Sequence, residues 1–300
     1  MSVDRRRVVI TGATAGLGYF AAERLASQGH KVVLAARDGE RAVRAVDTII
    51  ERVPGADLET VELDLADLSS IRSGAAAIAA GGAVDVLLAN AGVVGSKRRQ
   101  TTADGFESQF GTNHLGHFAL VSHLMPAIRS STAGRIVHLG SISHRWVRLD
   151  LDDPMMLSSY SSYVAYARSK LAVMSFGFEL DRRLRESGSP VVSVVAHPGF
   201  AWESLSDPRP PVVVPRRPPA VVTSAMHTFS QGKEVGAEPL VHAATAEGVR
   251  GGEYWGPAGW FQLTGGPALV TAQKHAHDTD TASRLWSESA RLTSTQPALL

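Results

Sequence analysis

Six short apolar runs punctuate the first two thirds of this 300-residue chain, at 7–11, 31–36, 58–63, 84–89, 135–140 and 191–196. Longer stretches with helical spacing lie between them, at 16–28, 39–53, 69–80, 105–129 and 162–186. The runs are near-continuous in Val, Ile, Leu and Ala, as expected of strands covered on both faces. Strands alternating with helices predict an α/β fold, a doubly wound parallel sheet of about seven strands with helices on both faces. Its length suits one domain spanning residues 1–300.

Composition removes several classes of function. Lys and Arg total 30 against 29 Asp and Glu, a net charge of +1, so nothing points to nucleic acid or an acidic membrane surface. With no cysteine, disulfides, Cys-ligated metals and thiol nucleophiles are excluded, and a cytoplasmic location is the expectation. The apolar residues Val8–Ile10 are too few for a signal peptide. Residues 74–94 are rich in Ala, Val and Leu, but Asp85, Asn90 and several glycines interrupt them, so no membrane span is expected. Eleven histidines are scattered without metal-ligand spacing, and no metal is expected.

Past residue 196 the character changes. Residues 204–226 hold six prolines, at 208, 210, 211, 215, 218 and 219, which rules out a long regular helix or a central strand. Residues 200–235 are expected to form a lid over a substrate pocket. Helical patterns return at 236–247 and 279–292, the second anchored by Leu285, Trp286 and Leu292.

Chemistry concentrates in two motifs. TGATAGLG, residues 11–18, follows a strand and opens a helix. Gly12, Gly16 and Gly18 permit a tight turn, and the loop from Gly12 through Thr14, Ala15, Gly16, Leu17 and Gly18 offers free N–H groups to a pyrophosphate at a helix N-terminus. In SYVAYARSK, Tyr166 and Lys170 stand four apart, on one helical face. An ammonium beside a phenol favours the phenolate, so the Tyr166 pKa is expected to fall from about 10 toward neutrality, giving a usable proton donor and acceptor. Tyr160 and Tyr163 have no lysine four residues on. Arg37 closes VVLAARD, with Ala36 where an acidic residue would meet a ribose 2′-hydroxyl; an arginine fork suits a 2′-phosphate.

The spacing TGxxxGxG, taken with Tyr166-x-x-x-Lys170, resembles the short-chain dehydrogenase/reductase family, and other landmarks follow in order from Thr11 to Gly199. Asp64-Leu65 stands where a family Asp contacts adenine. Asn90-Ala91-Gly92 matches the strand-end motif bordering the adenosine half. Asn113 in GTNHLGHF matches the helix Asn, and Ser141 in VHLGSIS the catalytic Ser. Pro198-Gly199 matches the turn beside the nicotinamide. The segments GGEYWGPAGWFQLTG and RLWSESARLT resemble the branch of retinol dehydrogenases and actinobacterial oxidoreductases.

The resemblance implies a Rossmann fold and an NADP(H)-dependent enzyme, NAD(H) being the second choice. Hydride would move between nicotinamide and a small lipophilic ketone, aldehyde or secondary alcohol, a carbonyl reductase in biosynthesis. Tyr166 would be the general acid/base, Ser141 the oxyanion partner, Lys170 the residue holding the ribose and Asn113 the anchor of a water relay. Cofactor contacts would come from the 12–18 loop, Arg37, Asp64, Leu65, Asn90, Ala91, Gly92, Tyr166, Lys170, Pro198 and Gly199. A homodimer is implied, with a monomer as the alternative, since the C-terminal extension and the insert at 146–161 could block the family interface. A redox-neutral epimerase, dehydratase or cyclase on the same fold is the runner-up, and a nucleotide sensor a third reading. Ser143 competes with Ser141 and ranks below it on strand-end position. Phe200, Trp202, Trp255, Trp260 and Phe261 are candidates for an apolar substrate pocket or for plain packing. Where the family often has a Thr after the Pro-Gly turn, this chain has Glu203 and Ser204.

Overall fold

The computed structural model describes residues 5–216 and 229–299. Its centre is an eight-stranded sheet. β1 (Arg7–Thr11), β2 (Lys31–Ala36), β3 (Leu58–Glu62), β4 (Val86–Ala89), β5 (Arg135–Leu139) and β6 (Val192–Ala196) are the six predicted strands, trimmed by a residue or two at most. β9 (Tyr254–Pro257) joins β6 in parallel, and β10 (Pro267–Leu269) closes that edge antiparallel. The order is β10-β9-β6-β5-β4-β1-β2-β3. The chain winds outward through β2 and β3, returns to β4 beside β1, and then winds the other way. The reversal opens a crevice at the carboxyl ends of β1 and β4, where ligands bind in sheets of this kind.

Helices cover both faces: α1 (Gly16–Ser27), α2 (Gly39–Arg52), α3 (Leu68–Ala80), α4 (Gly116–Arg129), α5 (Ser162–Glu186), α6 (Lys233–Thr245) and α7 (Thr279–Thr293). On one side, Tyr19, Leu25, Ile49 and Leu240 pack against Val8, Ile10 and Leu34. On the other, Phe118, Leu124, Phe176 and Trp286 pack against Val9, Val33 and Leu87. Consecutive strand residues thus feed opposite cores, which is why the central runs lack polar alternation. β3 departs from this. Its sequence LETVE alternates, all its residues keep some exposure, and Glu59 pairs with Lys31 at 3.2 Å, as a charged sheet edge does.

The stretch expected as one helix over 105–129 is two. Phe110–Leu115 is a π-helical turn that passes into α4. Glu107 is almost fully buried and accepts from the backbone N–H of Gln109 (3.0 Å) and Phe110 (2.7 Å), capping the entry to this turn. π-turns of this kind gather at functional sites.

The proline-rich segment is tied down at both ends. β7 (Ala201–Trp202) and β8 (Gln231–Gly232) form a two-stranded parallel pair. Arg209 bonds Glu23 on α1 at 2.9 and 3.1 Å and lies over the Phe20 ring. Residues 217–228 of the segment expected as a lid lie outside the described residues. The insert at 146–161 is also fastened, by Arg168 to Asp150 (3.6 Å), Arg284 to Asp152 (2.9 Å) and Arg99 to the Met155 carbonyl (2.9 Å). No helix among the described residues is long and apolar enough to cross a membrane.

Candidate active site

Tyr166 and Lys170 lie on the second and third turns of α5, beside the carboxyl end of β5. Ser141 lies close enough to the Tyr166 phenol for its hydroxyl to favour the phenolate. Ser141 lies two residues past β5, where its backbone is extended and its side chain caps a short 3-10 turn at Ile142–Trp146. Its Oγ accepts from the Ser143 N–H (3.2 Å) and from the Ser143 hydroxyl (3.0 Å). Ser143 is therefore a buried support, and the half-buried Ser141 has its own O–H left for the Tyr166 phenol.

Lys170 is buried, and its ammonium donates to the Leu139 carbonyl at 3.0 Å. Burial lowers its pKa to about 8. The expected fall in the Tyr166 pKa does not occur. Burial, the largest influence, pushes the phenol upward, and the opposing influence of the Ser141 hydroxyl is outweighed. The spacing argument assumed an ammonium aimed at the phenol, whereas this one is aimed at a strand-end carbonyl.

Asn113, within the π-turn, is fully engaged. Its Oδ1 accepts from the Val93 N–H (2.7 Å), and its Nδ2 donates to the Val93 carbonyl (3.1 Å) and the Ser169 hydroxyl (2.9 Å). A Cβ placed on Gly92 would lie 3.3 Å from Asn113 Oδ1 and 3.4 Å from Lys170 Nζ. The fold thus gathers Gly92, Asn113, Ser141, Tyr166 and Lys170 from four separate segments.

The glycine loop closes the other side. Gly12 has φ +67°, and a Cβ there would meet Ala91 at 2.9 Å; a Cβ on Gly18 would overlap the Gly12 carbonyl. The Thr11 hydroxyl accepts from the N–H groups of Asn90 and Ala91, both at 3.0 Å. Asn90 Nδ2 donates to the Thr11 carbonyl at 2.9 Å, whereas its Oδ1 is buried with no partner among the described residues. A buried acceptor beside bare loop backbone is what a nucleotide hydroxyl and pyrophosphate require, so these residues fit a dinucleotide. Arg37 is largely exposed past β2, and its guanidinium lies 3.9 Å from the Asp64 carboxylate. Asp38 is spent capping α2 by accepting from the Arg41 N–H at 3.0 Å. Leu65 is buried, and its carbonyl backs onto Gly116. Pro198 and Gly199 follow β6; the Pro198 carbonyl accepts from Gln231 (3.0 Å), and Gly199 has φ +67°.

Comparison with known proteins shows the family. Residues 6–202 match the family model described as short chain dehydrogenase. The chain belongs to the short-chain dehydrogenase family. It is 35% identical to retinol dehydrogenase 13 of Homo sapiens, over 97% of this chain and 85% of that protein. It is 36% identical to polyprenol dehydrogenase of Mus musculus, over 96% of this chain and 84% of that protein. Among solved structures, an uncharacterised protein from Mycobacterium paratuberculosis superposes with TM-score 0.79 at 35% identity, covering 98% of this chain and 95% of that one. The NADPH-dependent 3-quinuclidinone reductase of Rhodotorula rubra shares the fold, with TM-score 0.60 at 20% identity over 83% of this chain and 88% of that one.

Two features of this family member escaped the sequence reading. His117 joins both halves of the site. Its Nδ1 donates to the Asn113 carbonyl (2.8 Å), and its Nε2 accepts a hydrogen bond from the Thr11 hydroxyl (2.9 Å). Its position four residues past Asn113 was the available signal. Glu203, in the place of the family Thr, is paired with Lys233 at 2.7 Å. The candidate aromatics divide. Trp255 packs at a tilt against His242 and donates to Glu253, whereas Phe200, Trp202, Trp260 and Phe261 are exposed.

Proposed function

We propose that this short-chain dehydrogenase is an NADP(H)-dependent oxidoreductase interconverting a lipophilic alcohol and its carbonyl compound, with Tyr166 as the general acid/base. The observation that carries the reading is the juxtaposition of the Tyr166 phenol with Ser141 and the buried Lys170, in the crevice opposite the glycine loop. A nicotinamide dinucleotide held there would supply the hydride. Ser141 orients the substrate oxygen by turning its O–H from the Tyr166 phenol onto it, and stabilises charge developing there. Tyr166, kept protonated by burial, gives that oxygen its proton in the reducing direction. Asn113 fixes the π-turn against Val93 and Ser169, next to Lys170.

Arg37 supports the preference for a 2′-phosphate. It is exposed at the end of β2, and Asp38, the adjacent acid, is committed to its helix cap. The exposed aromatics beside the Pro-Gly turn support the substrate class. Phe229, Trp260 and Phe261 form one contact chain, with Phe200 and Trp202 a second pair. Such a cluster suits a long apolar substrate at the mouth of the crevice, in keeping with relatives named for retinol and polyprenol. Residues 200–235 would act as the lid, in a cytoplasmic homodimer.

The test follows nicotinamide absorbance with a panel of isoprenoid alcohols and aldehydes. Wild type turns over at least one member, with kcat/KM at least about ten-fold higher for NADPH than NADH. Tyr166→Phe lowers kcat by about 10³-fold. Turnover near wild type in that variant would sink the assignment.

A further inference from the structure

The Glu203–Lys233 pair lies where the site meets α6, and neither residue has a part in the roles above. Lys233 opens α6, and its backbone N–H is held by the Ser206 hydroxyl at 2.9 Å. From there its side chain crosses the glycine loop. A Cβ placed on Gly16 would lie 3.1 Å from Lys233 Nζ and 3.4 Å from its Cδ. One turn further, Gly236 packs on Leu17 and on the Pro198 carbonyl, so the first turns of α6 and α1 face each other. The ammonium therefore stands over the α1 N-terminus, whose first turn contains no acidic side chain. Glu203, 48% exposed, is paired with it at 2.7 Å.

We propose that Lys233 is a further phosphate-binding residue of the dinucleotide site, with Glu203 as the counter-ion that positions it over Gly16. The inference rests on the dinucleotide reading made above. A pyrophosphate on the glycine loop brings two negative charges close to the Glu203 carboxylate. The three N–H donors of Lys233 serve both, bonding a phosphate oxygen while keeping the carboxylate. Without the lysine, the site loses a cation and also presents an unneutralised carboxylate to the incoming anion. The Thr usual at this position would make a neutral hydroxyl contact. Here an ion pair stands in its place and moves recognition toward the phosphates.

The test measures equilibrium binding by calorimetry, with NADP+, NAD+ and adenosine 2′-phosphate as probes, the last lacking a pyrophosphate. Lys233→Met weakens NADP+ by about ten-fold or more, the value of one charge-assisted hydrogen bond. Binding of adenosine 2′-phosphate changes less than about two-fold. Lys233→Arg, which keeps the charge, stays within about three-fold of wild type for NADP+. Adding Glu203→Gln to Lys233→Met restores part of the loss, because the exposed carboxylate is gone. Unchanged NADP+ binding in Lys233→Met overturns the proposal, as does an equal loss for NADP+ and adenosine 2′-phosphate, which would mark a structural role. Wild type that binds neither NADP+ nor NAD+ overturns the dinucleotide reading and this proposal with it. Wild type that binds while Lys233→Met matches it overturns this proposal alone.

Discussion

Lys170 shows how one residue can serve a site at a cost to stability. Its ammonium is buried against a single carbonyl, and its pKa falls to about 8 from an ordinary value of 10.5. The unfolded chain therefore holds this proton more tightly than the folded one, and wild-type stability rises as pH climbs from about 8 to 10.5. Below that window the buried charge costs about 3 kcal/mol. Lys170→Met is expected to lose turnover by at least about 100-fold and yet melt at or above wild type at pH 7. The difference in melting temperature should shrink as pH rises from 8 to 10, which thermal unfolding followed by circular dichroism would show. A variant less stable than wild type at pH 7 would contradict this account. The Tyr166–Lys170 spacing was legible in the sequence, and the direction of the ammonium was not. Which carbonyl lies across from a helix face depends on how that helix packs.

At the scale of elements, the strands and helices flanking the crevice fall close to where patterning placed them, because both faces of the central sheet are covered and local hydrophobicity sets the boundaries. The exception is the π-turn at Phe110–Leu115. Nothing in FGTNHL announces a wider turn, which arises where Asn113 bonds Val93 and His114 bonds Ser289 on α7 at 2.8 Å. Glu107 holds the entry to this turn. Glu107→Ala removes the acceptor from two buried N–H groups and is expected to cost about 2–3 kcal/mol. Denaturant titration would read it as a lower midpoint at unchanged slope. Glu107→Gln retains one acceptor oxygen and should cost about half as much. Equal stabilities of both variants and wild type would show that the turn does not depend on this cap.

For the molecule as a whole, the sensitive variable is acid. His114, His117, His138, His144 and His197 are buried, and burial lowers their pKa values to about 3 or 4 from 6.5. For His144 the neutral form is plain in the geometry. Its Nδ1 donates to the Ser141 carbonyl (2.6 Å), and its Nε2 accepts from the Gln273 N–H (3.2 Å). These five remain neutral in the folded protein while the unfolded chain protonates them below pH 6.5. Stability is thus lost as pH falls from about 6.5 toward 4, by up to about 1.4 kcal/mol per pH unit for each histidine. A steep drop in melting temperature between pH 6.5 and 4.5 is expected. A flat profile would mean that these side chains are protonated in the fold.

The sequence by itself determined the doubly wound sheet, the glycine loop and the Tyr166–Lys170 spacing, because each depends on local periodicity or short spacing, and its family resemblance pointed to Asn113 and Ser141. Tertiary structure alone decided the antiparallel β10 edge, the bridging of Thr11 and Asn113 by His117, the upward shift of the Tyr166 pKa and the placing of Lys233 over Gly16. These depend on groups far apart in the chain, and neither desolvation nor the partner of a charge is set until the chain has folded around it.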